Sequence, residues 1–574
     1  MYMTIKKAIL LPTIMITLIV TSVIAQNPLM IPDTLTGNSI SLTLQNGTHQ
    51  FYSGQNTTTM GANGSVLGPT LLLNQGDFVS FSVNNQLADS TTIHWHGLHV
   101  APENDGGPHT VIPPSAIWNP SFTILDKAAT YWYHPHLHSK TNLHVSKGIA
   151  GMLLVRDSDE AAILLPRKYG IDDFPLIIQT KDFDGAYEIV VPSNSDDVVM
   201  VNATLDPELH TPAQVVRFRL LNGSSQRVFN LGLGNGQQFY QIASDGGLLA
   251  APIALTRLLI APGERAEILI DFTGMNGQTI FLKSFASEFP NGIYGATIPG
   301  MAAMLTLTGY DPNPLNGSDY DVLQFTIEPA TSSPVTSIPA SLVTVTPIPE
   351  ANANITRTLT FTPVTMGPGQ LNDGFLINSA PFDMAVINET IPLNNTEIWE
   401  LTNQSGISHP FHIHDVQFYI LDRDGSTPPA NEQGRKDVVL VKPQETVRFI
   451  AKFEDFSNDT VPYMYHCHML VHEDGGMMGQ FVVFDSTVTE IETNISSHEI
   501  SVFPNPSNSE ITIQLDVNEP IRLELVNLLG EKVLSYESVP SNGQLTLTSL
   551  PEGVLFLSIT TAEGNRTTKK VIVR

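Results

Sequence analysis

The sequence of 574 residues contains a single cysteine, Cys467. One cysteine cannot form an internal disulfide bond, so this thiol is a buried side chain, an intermolecular partner, a nucleophile or a metal ligand. Basic residues are also scarce, because 28 Lys and Arg stand against 56 Asp and Glu, for a formal net charge of −28. This excess of negative charge argues against nucleic acid or an anionic membrane as a partner.

Long apolar runs are missing from the sequence after its first residues. Near the start, Lys6 and Lys7 precede an apolar run over residues 8–20, and small residues follow up to Ala25. This pattern predicts a secretory signal peptide over residues 1–25, cleaved after Ala25. The run is shorter than the ~20 apolar residues that span a bilayer. We therefore expect a secreted or cell-surface protein with no membrane span in the mature chain.

Helical periodicity is scarce as well. Short alternating runs are separated by Gly, Pro, Asn and Asp, which is typical of an all-β sandwich or barrel. In FVSFSVNNQL, which begins at Phe78, Val79 and Val83 share one face and the serines lie on the other. Related phrases are VVRFRLLNGS, from Val215, and EIWELTNQS, from Glu397.

The recurrence of these phrases predicts one β-sandwich repeated three times, over residues 26–160, 161–316 and 317–486. A second strand follows each phrase: TTIHWHGLH, RVFNLGLG and HPFHIHDVQF. The first and third copies carry histidines there, whereas the middle copy has Phe229, Asn230 and Leu231. We therefore expect the middle domain to be a metal-free spacer that sets the geometry of the outer two. A linker over 487–499 and a small β-sandwich over 500–574 complete the predicted organisation.

Four His-x-His pairs occur among the 17 histidines, two in each outer repeat. In a strand, residues i and i+2 point to the same face, so each pair presents two imidazoles in one direction. Four such pairs in matching places are not expected by chance. The paired residues are His94 and His96, His134 and His136, His412 and His414, and His466 and His468.

Cys467 lies between two of these histidines, so its sulfur is expected to point away from them and to join a different site. His472 and Met477 follow it, and His409 is left unpaired in HPFHIH. Two histidines, one cysteine and a weak methionine are the ligands of a blue-copper electron-transfer site, whereas zinc prefers a closed tetrahedral set. The eight paired histidines would hold three further copper ions, as the four-electron reduction of dioxygen requires.

The phrases HWHGLH, WYHPH, HPFHIH and HCHMLVHEDGGMM occur in this order within residues 40–486 and resemble the copper motifs of three-domain, laccase-like multicopper oxidases. The resemblance implies cupredoxin-like Greek-key β-sandwiches and four copper ions per chain. It implies a type 1 copper at His409, Cys467, His472 and axial Met477, a type 2 copper at His94 and His412, one type 3 copper at His96, His134 and His468, and the other at His136, His414 and His466.

The same resemblance gives two acids a role. Asp105 and Glu473 stand where bacterial members of the family carry carboxylates that relay protons to dioxygen. Alternatively, Asp105 is a turn residue before two glycines, and Glu473 is a solvated acid. His138, His99 and His109 lie near the motifs without a matching role, and we expect His138 to lie outside the ligand set.

The segment from residue 500 to the end carries a second resemblance. The phrases FPNP, NLLGE, LPEGV and KKVIVR resemble the C-terminal sorting domain of proteins exported by type IX secretion. This implies the type IX machinery as a partner, and it leaves open whether the domain is removed after export. The alternative is a generic β-domain for adhesion.

The motifs predict oxidation of phenols or aryl amines with dioxygen as acceptor, by a chain that we expect to be a monomer. Oxidation of Cu(I) or Fe(II) is the alternative, and storage of copper without turnover is another. Two features disfavour Cu(I) as the donor: GMAAMLTL, with Met301 and Met304, is interpreted as a core strand, and Ser405 stands where a copper-oxidising relative carries an acid. A copper nitrite reductase would lack the paired histidines around Cys467.

Overall fold

The computed structural model describes residues 26–367, 369–485, 501–516, 521–527, 532–539, 542–561 and 566–574. The predicted signal peptide and the predicted linker over 487–499 lie outside these ranges. The chain divides into two compact units, one ending at Phe484 and one beginning at Asp485. Strands make up 48% of the structure and helices 6%, so the predicted all-β class is confirmed. No helix among the described residues is long and apolar enough to cross a membrane.

Two sheets enclose the core of the first sandwich. The core forms because side chains alternate along the strands: Val79, Phe81 and Val83 are buried on one face of their strand, as predicted. In order of hydrogen bonding, one sheet contains Gln55–Ala62, Ser39–Tyr52, Phe78–Asn85 and Ile117–Trp118, with Ser121–Thr123 also paired to Phe78–Asn85. The other contains Thr34–Thr36, Thr70–Asn74, Gly151–Arg156, Ala129–His134 and His94–His96.

The middle sandwich is built from the longest sheets. Its strand Asp319–Glu328 lies after residue 316, where the sequence predicts the end of this domain, and Asn27–Pro28 joins it from the start of the chain. One sheet contains Thr204–Leu205, Val198–Val201, Asp173–Lys181, Val215–Asn222, Arg265–Asp271, Phe239–Ser244 and Gly247–Leu255. The other contains Asn27–Pro28, Pro207–Pro212, Asp319–Glu328, Thr279–Phe285, Phe229–Leu233 and Leu258–Ile260.

The third sandwich repeats the plan of the first. Its core is rich in aromatic side chains, among them Trp399, Phe411 and Phe449, and it also contains Cys467. One sheet contains Phe375–Ile377, Ile355–Pro363, Thr396–Asn403, Thr446–Lys452 and Tyr419–Arg423. The other contains Glu389–Pro392, Met478–Phe484, Asn458–Cys467, His409–Ile413 and Val438–Val441.

Helices are short and lie between strands. The α-helices are Pro102–Asp105, Thr141–Lys147, Ser158–Ala161 and Leu470–Asp474. The 3₁₀ helices are Ala286–Glu288, Glu350–Asn352, Gln370–Asn372 and Ala430–Glu432. Two of the α-helices, Pro102–Asp105 and Leu470–Asp474, carry the predicted acids Asp105 and Glu473.

The second unit is a small β-sandwich of its own, with Ile513, Leu525 and Leu557 in its core. One of its sheets contains Ser501–Phe503, Ile511–Asp516 and Asn542–Leu547. The other contains Lys532–Val539, Ile521–Asn527, Gly553–Thr561 and Arg566–Val573.

The interpretation of GMAAMLTL as a core strand is wrong. The described segment 286–318 contains no strand, and residues 300–304 form bends and turns. Met301 and Met304 are 47% and 66% exposed, whereas Leu305 and Leu307 point into the core of the third sandwich. The run does not alternate strictly, because two small alanines separate the methionines. Only its second half, with Leu305 and Leu307, is anchored in the core by buried apolar side chains.

A tyrosine facing a glycine recurs at the same place in the two outer sandwiches. Tyr133 pairs across the sheet with Gly151, and Tyr465 pairs with Gly479. In both cases a Cβ on the glycine would overlap the buried tyrosine ring. The two tyrosines directly precede His134 and His466. Because the glycines have no Cβ, each tyrosine ring packs over its glycine and holds the end of the strand that carries the histidine.

We expect Gly151→Ala to destabilise the chain, because the new methyl group would displace the Tyr133 ring, whose hydroxyl donates to Pro69 O at 2.9 Å. Overpacking of this kind costs about 1–3 kcal/mol. Urea unfolding of the metal-free chain measures the change. Gly185→Ala is the control, because its Cβ would meet no atom and should change stability by less than about 0.5 kcal/mol. Equal stability of the two variants would contradict the packing role of Gly151.

Candidate metal centre

Strand pairing brings together the two His-x-His pairs of each outer sandwich. His94 lies opposite His134 in the first sandwich, and His412 lies opposite His466 in the third. The histidines of each His-x-His pair lie in a strand or directly after its last residue. The imidazoles therefore project from one sheet in each outer sandwich. All eight rings are buried, and those of the first sandwich meet those of the third.

One group of three rings combines the two sandwiches. Nε2 of His136 lies 3.0 Å from Nε2 of His466 and 3.2 Å from Nε2 of His414. These are the three residues that the family resemblance assigns to one type 3 copper. Their ligand atoms all lie within 4.8 Å of one another.

A second group has His96 at its centre. Nδ1 of His96 lies 3.4 Å from Nε2 of His134 and 3.3 Å from Nε2 of His468. The ring of His96 therefore faces this group with Nδ1 and keeps Nε2 for another partner. These three residues are the set that the family resemblance assigns to the other type 3 copper.

The two remaining histidines have free ring nitrogens. Nε2 of His94 and Nε2 of His412 are buried, and neither has a hydrogen-bond partner among the described residues. Both belong to one cluster of possible ligands together with His414. Leaving a buried polar atom unpaired costs about 1–3 kcal/mol, so these two atoms indicate a missing partner.

The outer ring nitrogens show which way the lone pairs point. In four of the rings the outer nitrogen faces a backbone carbonyl oxygen, which can only accept: His94 Nδ1 faces Asp105 O at 3.0 Å, and His412 Nδ1 faces Asp437 O at 2.8 Å. His134 Nδ1 likewise faces Pro135 O, and His466 Nδ1 faces Cys467 O. The outer nitrogens of these rings therefore carry the hydrogens, and the inner nitrogens present lone pairs to one another.

Neutral rings with converging lone pairs fit a bound cation. Burial, followed by the neighbouring imidazoles, lowers the pKa values of these side chains well below 6.5, so protonation does not relieve the repulsion. The residues to which this applies are His96, His134, His136, His412 and His466. Imidazole donors of this kind suit copper among the transition metals.

The two predicted acids contact the outer side of the rings. Asp105 is buried, with Oδ2 2.8 Å from His414 Nδ1 and Oδ1 3.3 Å from His94 Nδ1. Glu473 is also buried, with its two oxygens 3.4 Å from His136 Nδ1 and His466 Nδ1. Neither acid is solvated. Asp105 therefore lies between His94 of the first sandwich and His414 of the third. Glu473 lies between His136 of the first sandwich and His466 of the third.

The environments of the two acids push their pKa values apart. Burial alone would raise the pKa of Asp105, but the imidazoles of His414 and His94 hold it below its usual value. Burial, with Asp474 nearby, raises the pKa of Glu473 well above its usual value. Burial therefore favours the protonated form of Glu473, whereas the two imidazoles favour the ionised form of Asp105.

Cys467 belongs to a separate site on the other side of its strand. Its Sγ lies 3.5 Å from Nδ1 of His409 and 3.5 Å from Nδ1 of His472. Met477 is buried in the same core, and its carbonyl accepts from the Cys467 N–H at 3.0 Å. Burial raises the pKa of the Cys467 thiol, so its thiolate form needs a cation beside it.

The structure adds residues that the sequence did not identify as site residues. Ser405 Oγ lies 2.7 Å from His409 Nε2, so the serine occupies the outer nitrogen of a ring that faces the sulfur with Nδ1. Asp437 contacts His96 Nε2 at 3.2 Å. In the sequence Asp437 is only an acid before the strand VVLV, and its position opposite His409–Ile413 appears through strand pairing.

The three histidines that lie near the motifs without a matching role, His99, His109 and His138, are not members of the cluster. His99 pairs with the buried Asp415 at 2.9 Å, and His109 Nε2 lies 2.7 Å from Gln480 Oε1. His138 is half-buried, with its ring 5.3 Å from that of Phe382.

Comparison with known families covers both outer sandwiches and the second unit. Models described as multicopper oxidase match residues 43–160 and residues 350–487. A model described as secretion system C-terminal sorting domain matches residues 501–574. The resemblances stated from the motifs are therefore confirmed.

Individual relatives extend the match over the middle sandwich. The multicopper oxidase mco of Staphylococcus haemolyticus is 35% identical over 77% of this chain and 88% of its own length. The laccase-like multi-copper oxidase CueO of Ochrobactrum sp., described as having oxidase activity towards lignin model compounds and lignosulfonate, is 33% identical, with a TM-score of 0.70 over 79% of this chain and all of that chain. A Campylobacter jejuni multicopper oxidase, described as a metallo-oxidase, is 25% identical, with a TM-score of 0.68 over 80% of this chain and 96% of that one.

We expect the metal-free chain to lose stability as the pH falls below neutrality. Burial lowers the pKa of His414 to about 4 and the pKa values of His468 and His472 to about 3, whereas the unfolded chain keeps a value near 6.5. At pH values between the folded-state and unfolded-state pKa, the unfolded chain binds protons that the folded chain does not. The free energy of unfolding therefore decreases as the pH decreases. The slope is up to ~1.4 kcal/mol per pH unit for each histidine.

Urea unfolding with a chelator, between about pH 7.5 and 5, measures this dependence. His468→Gln removes one titrating ring and should show a shallower slope. A free energy of unfolding that stays constant or rises as the pH falls through this window would contradict the burial of neutral imidazoles.

Proposed function

The chain belongs to the multicopper oxidase family, and we propose that it oxidises a small organic donor, a phenol or an aryl amine, one electron at a time while reducing dioxygen to water. The observation that carries this proposal is the convergence of buried, neutral imidazole lone pairs beside a separate thiol site. Copper, when bound, supplies electron uptake at the thiol site and the four-electron reduction of dioxygen at the histidine cluster.

The assignment of the ligands to four copper ions follows the three groups of rings and the thiol site. His136, His414 and His466 would hold one type 3 ion, His96, His134 and His468 the other, and His94 and His412 the type 2 ion. His409, Cys467, His472 and Met477 would hold the type 1 ion. The distances between ring nitrogens support each group, because all three sets bring unprotonated nitrogens together.

Cys467 connects the two sites by its own covalent bonds. Its sulfur faces His409 and His472, while the neighbouring residues His466 and His468 face the cluster. An electron that enters at the sulfur can therefore travel through the Cys467 backbone to either imidazole. A protein that only stores copper does not need a covalent path between its sites. This arrangement therefore favours an enzyme over a storage protein.

Asp105 and Glu473 are suited to hold and move protons. Four electrons and four protons convert one dioxygen to two water molecules, so the buried cluster needs a proton supply. Glu473 lies between two rings in surroundings that favour its protonated form, and Asp105 accepts from His414 Nδ1 through its carboxylate and from His94 Nδ1 through its backbone carbonyl. A donor and an acceptor on opposite pairs of rings suit general acid–base chemistry.

The donor is expected to approach the edge of His472. His409 is fully buried, whereas His472 keeps a small exposed edge. The Phe375 ring packs against both, with centroid distances of 4.7 and 4.5 Å. Exposed apolar side chains of the same sandwich, Val364 and Met366, offer aryl groups an apolar surface. The lignin-related activity described for the Ochrobactrum relative supports this donor class.

Oxidation of Cu(I) is the second candidate, and one observation favours it. The segment that was interpreted as a strand instead exposes Met301 and Met304, and the Met301 N–H donates to Gly406 O at 2.7 Å. Gly406 lies three residues before His409, so the segment that carries the two methionines contacts the loop before the thiol site. The metallo-oxidase from Campylobacter jejuni gives a precedent within the family. Ser405, which is not an acid, keeps the organic donor as our leading proposal.

The C-terminal sorting domain supports export. We propose that the type IX secretion machinery recognises the second unit and that the signal peptide over residues 1–25 directs the first step. The enzyme would then meet its donor and dioxygen at the cell surface or outside the cell.

Replacement of Cys467 tests the proposed function. We expect Cys467→Ser to lose the blue absorption and to reduce oxygen uptake with a dimethoxyphenol at least about 100-fold, because the hydroxyl cannot replace the thiolate. The control is His138→Gln, which should keep both. If the wild-type chain binds copper but consumes no oxygen with phenols, Cu(I) or Fe(II), storage replaces the proposed function. Undiminished oxygen uptake by Cys467→Ser would also refute it.

The exposed methionines distinguish the two donor classes. Met301→Leu with Met304→Leu keeps the apolar volume and removes the thioethers. We expect kcat/KM for a dimethoxyphenol and for Cu(I) to stay within about twofold of the wild type. The control is Met275→Leu, which lies in the middle sandwich. A loss of about tenfold or more for Cu(I) alone would instead favour the metallo-oxidase candidate.

A further inference from the structure

Arg265 of the middle sandwich has an unusual number of partners. It is the first residue of the strand Arg265–Asp271, and its guanidinium is fully buried. All five of its N–H groups are used. They donate to Thr130 O at 3.1 Å, Gly263 O at 3.0 Å, Asp245 O at 3.1 Å, Asp437 Oδ1 at 2.6 Å and Asp437 Oδ2 at 2.5 Å.

These partners come from all three sandwiches of the first unit. Thr130 lies in the first sandwich, in the strand that ends at His134, and Asp437 precedes the strand Val438–Val441 of the third. A planar guanidinium binds a carboxylate through two parallel hydrogen bonds, so Arg265 fixes the rotation as well as the position of Asp437. One side chain thus contacts the first and the third sandwich at once.

Asp437 passes this constraint to two histidines of the cluster. Its Oδ1 lies 3.2 Å from Nε2 of His96, and its backbone carbonyl accepts from Nδ1 of His412 at 2.8 Å. His96 comes from the first sandwich and His412 from the third, and their rings stack with centroids 3.8 Å apart at an angle of 9°. These two rings are assigned to different copper ions, so their relative placement decides how the ions are spaced.

The turn before Arg265 touches a third ring. Gly263 has a φ of +84°, and a Cβ at this position would lie 2.8 Å from the ring of His468. The same glycine gives its carbonyl oxygen to Arg265. The middle sandwich has no His-x-His pair, yet it packs directly against the cluster at this turn.

We propose that Arg265 is a positioning residue of the cluster, through which the middle sandwich holds His96 and His412 in the register that the type 2 and type 3 ions need. The inference rests on the proposed function. It gives the middle sandwich a definite role: Arg265 holds Asp437, and Asp437 orients one ring from each outer sandwich. Outer partners of ligating histidines change metal affinity or activity by about 10–100-fold when they are removed.

Arg227 provides a matched comparison. It lies in the same sandwich, is equally buried, and binds Asp196 through Nε at 2.9 Å and through Nη2. None of its described contacts is with a histidine of the cluster. Arg227→Lys therefore removes a bidentate buried ion pair of the same kind without touching the metal centre, which separates loss of stability from loss of positioning.

The experiment compares Arg265→Lys with Arg227→Lys in the full-length copper-loaded protein. Lysine keeps the charge but cannot make the two parallel bonds. For Arg265→Lys we expect the type 2 signal in electron paramagnetic resonance to change and its copper to be lost to a chelator about tenfold more readily, while the blue absorption per chain is unchanged. Arg227→Lys should lower the urea midpoint and keep the wild-type signal and chelator resistance.

A wild-type signal and wild-type chelator resistance in Arg265→Lys would overturn the proposal, as would equal changes in the two variants. If Arg265→Lys does not fold, Asp437→Asn gives the same test from the other partner, since the amide loses the charge that the guanidinium binds. A wild-type response of Asp437→Asn would then refute the proposal. Chelator resistance requires no turnover, so an absence of oxygen uptake in the wild type refutes the proposed function and leaves this test intact.

Discussion

Eight buried imidazoles converge in one cluster, and the rest of the first unit is arranged to hold them there. Burial lowers the pKa of rings such as His136, and backbone carbonyls on the outer side of His94 and His412 fix the hydrogens of those two rings outward. Without a cation this arrangement is unfavourable, because buried polar atoms such as His94 Nε2 stay unpaired. A cation bound among these nitrogens would supply the missing partner and stabilise the arrangement.

A single extended segment gives the centre its second part. Because side chains alternate along a strand, His466 and His468 face the cluster while Cys467 faces His409 and His472 in the core of the third sandwich. The two environments differ chemically, since one is rich in imidazoles with buried acids and the other is apolar around a thiol. Their separation is nevertheless one residue along the chain. Under the proposed function, this proximity would let the thiol site pass electrons one at a time to the histidine cluster.

The middle sandwich shows how a domain without ligands contributes to a metal centre. Its buried charges face both neighbours: Arg219 and Glu267 reach Thr130 of the first sandwich, and Arg265 reaches Asp437 of the third. Fully used hydrogen-bonding groups in a buried network hold one geometry, because any displacement leaves a charge unpaired. The cluster lies between two sandwiches that do not share a sheet, so its precision depends on this third body.

The sequence by itself determined the all-β class, the identity of the histidines that meet and the separate place of Cys467, because alternation and repetition are local patterns that strand geometry turns directly into direction. It did not decide the state of Met301 and Met304, where apolar composition suggested a strand but turns expose the thioethers. It also gave no sign that Asp437 and Arg265 belong to the centre, since these two residues are 172 positions apart. Only the packing of three sandwiches brings such residues together, because contacts between distant segments depend on how whole sheets dock and leave no periodic trace in the chain.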